Sequence, residues 1–414
     1  MGGWLSQLPT HTPFGLPAIW LRDNCQCREC RDPATGERLV SISDLPADIS
    51  VATSTQSGGR IEIVFSPDGH QSVFDAAWLS QYGTEDEPAG SGRAAAAAAG
   101  GGRNRTAAAG GGHGGPGDQA GGQQLAWELP ADGDIRSEDA KRLWSAADIA
   151  SAFPQGSWPL FESDPVHRQA CLAAVLRDGF VLLRDVPPEP GMVLTVARRV
   201  GLVRESEHGP VVDTQVSARP PHQIFTSQAM NPHSGLAFRD PVPTVGVKHC
   251  IRQAADGGGS LLVDGFHAAA TLRAERPRAF GVLTSTEVTF AFADAVHDLR
   301  ATRPVIGLGP SGRIREVRFD TGLMQPVRMP PAEVIDFYDA YRAFAEVTRR
   351  ASQTAAFGLR PGDCLVLDNT RVLVGRTRFT GTQRHMQMCW ADLDMLASRL
   401  SVLRRGRHNG HQRR

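Results

Sequence analysis

No apolar run in the 414-residue sequence approaches the roughly 18 to 20 residues needed to cross a bilayer, and a membrane-spanning helix is not expected. A basic stretch followed by an apolar one is also missing near the first residue, so no secretory signal is read there. The chain has no excess of either charge: Lys+Arg and Asp+Glu are both 44. That balance supplies no electrostatic reason for nucleic acid or an anionic membrane as a partner. Cysteines are few and odd in number, seven in all, which argues against a disulfide framework. A soluble, cytoplasmic protein is the expectation, and the length allows two or three domains.

The first informative stretch is Trp20 to Cys30, where Cys25, Cys27 and Cys30 are separated by polar residues only. Such spacing does not describe core packing. A structural zinc takes four soft ligands in a closed tetrahedral shell, and His70, in the turn Ser66-Pro67-Asp68-Gly69-His70, is the candidate fourth. Free surface thiols are the competing reading. The strand-like Arg60 to Phe65 places this cluster on a small β-rich unit, residues 1–86. Residues 87–122 are rich in Gly and Ala, with poly-alanine from Ala94 to Ala99, and read as a disordered insertion. Residues 404–414 form a basic, flexible tail.

The large unit, residues 123–403, opens with an amphipathic helix at Val166–Arg177, a buried strand at Gly179–Arg184 and a second helix near Gly191–Val200. Many short strands follow, around Ile224, Thr244–Ile251, Ser260–Val263, Val288–Phe292, Val305–Leu308 and Ile314–Phe319. After a helix from Pro331 to Ser352 come Cys364–Leu367, Val372–Val374 and Gln387–Trp390, then a helix from Leu393 to about Leu403. The fold class is mainly β with flanking helices. Short strands at regular spacing predict a double-stranded β-helix, or jelly roll, behind the small zinc-binding unit.

The stretch Asn231-Pro232-His233-Ser234-Gly235 sits at a strand end. A histidine there, with a carboxylate two residues on, opens the metal site of many non-haem iron enzymes. Here the second position is glycine. Together with Trp20–Cys30, the segments Ile224–Arg239, Lys248-His249-Cys250, Ser260–Gly265, Asp298–Pro304, Leu359–Arg376 and Arg384–Asp392 resemble the γ-butyrobetaine dioxygenase family. That family lies within the taurine-dioxygenase-like iron(II)/2-oxoglutarate oxygenases, and the resemblance covers nearly everything outside residues 87–122. It implies hydroxylation of a small trimethylammonium compound at an iron held by His-x-Asp and a distal His. It implies Cys25, Cys27, Cys30 and His70 as zinc ligands and His233 as the first iron ligand. The Asp position falls on Gly235 and the distal His on Val374. Arg384 corresponds to the arginine that clamps 2-oxoglutarate, suited by its planar fork to a carboxylate. Phe225 and Trp390 correspond to rings around the quaternary ammonium, and Phe238 is a third candidate. His208 and Val212 stand where aromatic residues are expected.

Glycine and valine bring no donor atom, so Gly235 and Val374 oppose an intact iron site. Halogenases of this kind lack only the carboxylate and keep both histidines, which excludes halogenation here. Three readings remain. The chain is a hydroxylase whose metal site is rebuilt from His208, Asp213, His222, His249 or Asp320; or a repurposed enzyme, with His233 as acid or base and Arg384 on a substrate carboxylate; or a non-catalytic binder of a cationic or carboxylate metabolite. The sequence favours the last two over the first. Iron(II) and 2-oxoglutarate are the family's expected cofactors, zinc the expected structural metal, and a homodimer the expected assembly.

Overall fold

The computed structural model describes residues 13–83, 141–220 and 222–411. The Gly/Ala-rich insertion expected at residues 87–122 lies outside them. In the N-terminal unit the strands Ser50–Ser57, Arg60–Ser66 and Gln71–Asp75 form an antiparallel sheet in that order. Gly58 and Gly59 join the first two with positive φ of 56° and 77°, the backbone a tight two-residue hairpin needs. Alternation along the middle strand sends Ile61, Ile63 and Phe65 inward and Glu62 outward.

The large unit is built on two sheets. The six-stranded one runs Gln155–Ser157, Phe180–Arg184, Cys364–Asp368, Val245–Arg252, His385–Ala391, Val212–Thr214 across its width. All its pairs are antiparallel except the first. The four-stranded sheet runs Thr354–Phe357, Ser260–Asp264, Val372–Arg376, Met230–His233. Period-two alternation explains how the larger sheet serves two layers. Val245, Val247, Val366, Cys389 and Ala391 pack outward with the helices Pro165–Asp178, Met192–Val200 and Leu393–His411. Leu365, Leu367 and Met386 point the other way, meeting Leu262 and Val372 of the smaller sheet. The space between the sheets is therefore where side chains of both converge.

A third layer ties the small unit to the large one. Trp20, Leu21, Ile61 and Phe65 share one buried cluster with Phe238, Phe266, Phe337 and Tyr341. Trp20 Nε1 donates to the Val327 carbonyl at 3.0 Å, and the Tyr338 hydroxyl donates to Asp23 Oδ2 at 3.0 Å. Between the layers lies a fully buried ion pair, Arg371 Nη2 to Asp264 Oδ2 at 2.7 Å, with both side chains shielded from solvent. Arg371 also donates to the carbonyls of Arg177 and Arg142, which satisfies its remaining fork.

Three expectations change. The segment around Ile224 is a 3₁₀ turn, Gln223–Phe225, not a strand. Its backbone is captured by side chains: His222 Nδ1 accepts from Ile224 N–H, and Arg376 donates to the carbonyls of Gln223, Ile224, Thr226 and Gln228. The helix from Pro331 ends at Thr348, and the last helix continues to His411. No helix among the described residues is long and apolar enough to cross a membrane.

Candidate functional site

The cysteine cluster is compact. One ligand atom from each of Cys25, Cys27, Cys30 and His70 lies within 4.8 Å of the others, and His70 Nε2 stands 3.2, 3.6 and 3.5 Å from the three sulfurs. Cys25 and Cys30 are buried, and a short helix, Ala18–Asp23, and the loop after it bring them to the turn carrying His70. The Cys25 thiol is pulled down to about 4, foremost by its hydrogen bond with Cys30. Arg22 donates to Cys30 Sγ at 3.1 Å and is itself held by Asp68 at 2.8 Å, so a cation backs the sulfurs from outside. These four donors fit a tetrahedral thiolate-loving ion. Free surface thiols do not describe them.

The second site is a pocket of about 630 Å³, counting its open mouth, between the two sheets. It gathers His233, Arg384 and Trp390, together with Gly235 and Val374. Val374 is the direct cross-strand partner of His233, and it is followed across the sheet by Leu262. The position expected to face the first ligand with a second imidazole thus presents an isopropyl group.

Gly235 is closed off in another way. A Cβ there would lie 2.4 Å from Cη2 of Trp390 and 2.9 Å from Oδ1 of Asn369. Asn369 also grips both sides of the same residue, accepting from Gly235 N–H at 2.9 Å and donating to its carbonyl at 2.8 Å. The indole therefore occupies the volume a carboxylate side chain would need. Trp390 Nε1 is buried with no hydrogen-bond partner among the described residues.

His233 keeps one ring nitrogen engaged, Nδ1 donating to the Asn231 carbonyl at 2.8 Å, which leaves Nε2 as the lone-pair nitrogen of the neutral ring. Arg384, 3% exposed, has Nε and Nη2 buried without partners among the described residues, and its guanidinium lies 5.2 Å from the Phe379 ring centroid. Burial pulls its basicity down. A buried guanidinium with two unused donors is a receptor for an anion.

Phe225 and Phe238 stand outside the pocket lining. Phe225 meets the His208 ring edge-on at 5.4 Å, and Phe238 stacks on Phe292 at 5.0 Å inside the core. Val212 is buried in an edge strand, where its backbone pairs with Met388.

The candidates for a rebuilt iron site do not gather into a metal-binding cluster among the described residues, although His222 and Asp320 both lie near enough to His233 to feel its charge. Asp213 pairs with His385 Nε2 at 2.6 Å, and His222 Nδ1 takes the Ile224 N–H. Asp320 Oδ1 closes a turn by accepting from Gly322 and Leu323 N–H, and the His208 ring packs against Phe225 and Phe292. His249 is fully buried in the strand Val245–Arg252, a core position. Among the described residues, the cysteine cluster is the one group of three or more His, Cys, Asp or Glu placed to hold a metal ion. The pocket's donors do not fit iron(II).

Sequence reasoning missed Lys248, Asn369 and Arg376, which also line the pocket. Lys248 carried a readable signal, as a lysine beside His249 in a stretch, Val245–Ile251, whose other residues are apolar or small.

The Taurine catabolism dioxygenase TauD, TfdA family profile matches residues 146–390, and the Gamma-butyrobetaine hydroxylase-like, N-terminal profile matches residues 9–80. The γ-butyrobetaine dioxygenase of Pseudomonas sp. (strain AK-1) is 32% identical over 94% of this chain and 90% of that protein. The human γ-butyrobetaine dioxygenase is 26% identical over 95% and 92%, and the trimethyllysine dioxygenase of Meyerozyma guilliermondii 26% over 94% and 90%. A crystal structure of asparagine oxygenase is 21% identical, covering 57% of this chain and 82% of its own, with a TM-score of 0.44. The chain belongs to the TauD/TfdA dioxygenase family.

Proposed function

We propose that this dioxygenase-family chain uses its inter-sheet pocket without iron, as a repurposed enzyme or binder for a small carboxylate-bearing metabolite. The observation that carries the reading is the pair of replacements around His233: Val374 directly across the sheet, and Gly235 with Trp390's indole in its side-chain space. Neither offers a lone pair, and one imidazole is too few ligands to retain iron(II) at ordinary concentrations. Arg384 supports the carboxylate half, because its two unused donors need an acceptor that the described residues do not supply. His233, with a free Nε2, is available as acid or base. The thiolate cluster of Cys25, Cys27, Cys30 and His70 is assigned to zinc, which would tie the loop after Ala18–Asp23 to the His70 turn within the N-terminal unit.

A second reading draws on the relatives, which are γ-butyrobetaine and trimethyllysine dioxygenases. It is 2-oxoglutarate-dependent hydroxylation of a similar trimethylammonium compound at a rebuilt metal site. Succinate release from 2-oxoglutarate, with iron(II) supplied and γ-butyrobetaine present or absent, separates the two. The iron-free reading expects none above the protein-free blank. Turnover stimulated by γ-butyrobetaine establishes the second reading instead.

A further inference from the structure

Of the 44 lysines and arginines in this chain, only Lys141 and Lys248 are lysines. Arginine supplies the cations nearly everywhere else. The two lysines are treated differently by the fold. Lys141 is paired, its Nζ 3.5 Å from Asp368 Oδ2 and 5.2 Å from the Phe266 ring centroid. Lys248 is 7% exposed, on the strand Val245–Arg252, and it lines the pocket. No acidic residue among the described ones forms an ion pair with it. Its cross-strand neighbours are Leu365 on one side and Met388 on the other, both apolar. The charged groups acting on it are the guanidiniums of Arg384 and Arg376, whose repulsion adds to burial, with the Cys250 thiol as the one opposing influence.

Those surroundings are poor for an ammonium and good for a free amine. Burial first, then the two guanidiniums, bring Lys248 down to about 7, so much of it is unprotonated at neutral pH. Desolvation beside other cations is a recognised way to make lysine a nucleophile toward carbonyls. Arg384, in the same pocket with two unused donors, would hold a carboxylate near that amine. An amine and a carboxylate receptor sharing one pocket match a molecule carrying a carbonyl next to a carboxylate.

We propose that Lys248 is a nucleophile that takes a 2-oxo acid as an imine on Nζ, with the acid's carboxylate on Arg384. The inference rests on the reading of the pocket as an iron-free carboxylate site. The step balances without any further reactant. The Nζ lone pair adds to the 2-oxo carbon as the carbonyl π bond opens. The oxygen takes both protons of the amine and leaves as water, and a C=N bond remains.

The test is reductive trapping on the full chain. The protein is incubated at neutral pH with pyruvate or 2-oxoglutarate and sodium cyanoborohydride, then analysed by intact mass and peptide mapping. The expected result is one adduct, with the mass of the oxo acid less one oxygen, on the peptide containing Lys248, while Lys141 stays unmodified. Lys248→Met and Lys248→Arg abolish it. Arg384→Met raises the oxo acid concentration needed by about ten- to a hundredfold, the worth of a charge-assisted contact. Because mapping the unaltered protein already assigns the adduct, a variant that fails to fold does not blunt the test. Modification spread equally over Lys141 and the N-terminal amine, or none at Lys248, overturns the proposal. If the oxo acids still raise the melting temperature of the wild type but not of Arg384→Met, the imine fails and the carboxylate pocket survives. If iron binds stoichiometrically and succinate forms, the pocket reading itself has failed.

Discussion

His233 and Val374 face each other across the antiparallel pair formed by Met230–His233 and Val372–Arg376. A register of this kind places the two side chains of a direct pair within about 5 Å at Cβ. The backbone is thus arranged as a two-ligand site would require, and only the chemistry of position 374 differs. Gly235 is a different case, because its space is taken by Trp390. Restoring a histidine at 374 is therefore tolerable, while restoring the carboxylate is not.

Gly235→Asp is expected to destabilise the chain by about 1–3 kcal/mol, the usual cost of overpacking, because a ring atom stands 2.4 Å from the new Cβ. Denaturant unfolding measures it. Adding Trp390→Leu should recover much of the loss by vacating the indole's volume. Equal destabilisation with and without the smaller residue would remove Trp390 as the cause.

The buried Arg371–Asp264 pair has no solvent to fall back on. Asp264→Ala leaves a guanidinium uncompensated in the interior and should cost about 3–5 kcal/mol in unfolding free energy. Arg278→Ala, which breaks the exposed pair with Asp336, should cost under about 1 kcal/mol. Similar losses in the two variants would contradict the burial argument.

Elemental analysis of purified protein should find close to one zinc per chain. Removing it with a strong chelator, or substituting Cys25→Ser, should lower the melting temperature of the whole protein and not of a detached unit. The reason is that Trp20 and Leu21, beside the cluster, belong to the same core as Phe337 and Tyr341. A separate low-temperature transition, with the main one unmoved, would mean that the two units melt independently.

Acid stability should depend on His222. Burial first, then the nearby His233 and His208, depress it from 6.5 to about 3. A depressed folded value makes its contribution fully present above pH 6.5, and that contribution drains away as pH falls toward 3. His222→Asn should therefore flatten the loss of stability across this window relative to the wild type. Parallel pH profiles would show that His222 does not carry it.

Local pattern made much of the fold legible in the sequence. The strand at Gly179–Arg184 and the helix before it emerge as Phe180–Arg184 and Pro165–Asp178, since apolar runs and a terminating Gly179, with φ of 86°, are local signals. The turn at Gln223–Phe225 was not legible, because only its His222 cap is local, and the guanidinium that holds its carbonyls comes from Arg376, about 150 residues away. Sequence also showed that Gly235 lacks a carboxylate, but not that Trp390 fills the space. That contact exists only once the sheets close on each other. Lys248 was visible as a lysine among valines, yet its want of an acidic partner is a property of the packed interior.

Iron content after anaerobic reconstitution is the most direct measure of the central claim. Protein loaded with excess iron(II) and then desalted should retain close to none, while its zinc remains near one equivalent. Val374→His should change this little, since a second imidazole still leaves the site one ligand short. One iron per chain in the unaltered protein would contradict the account and restore a metal-dependent oxygenase.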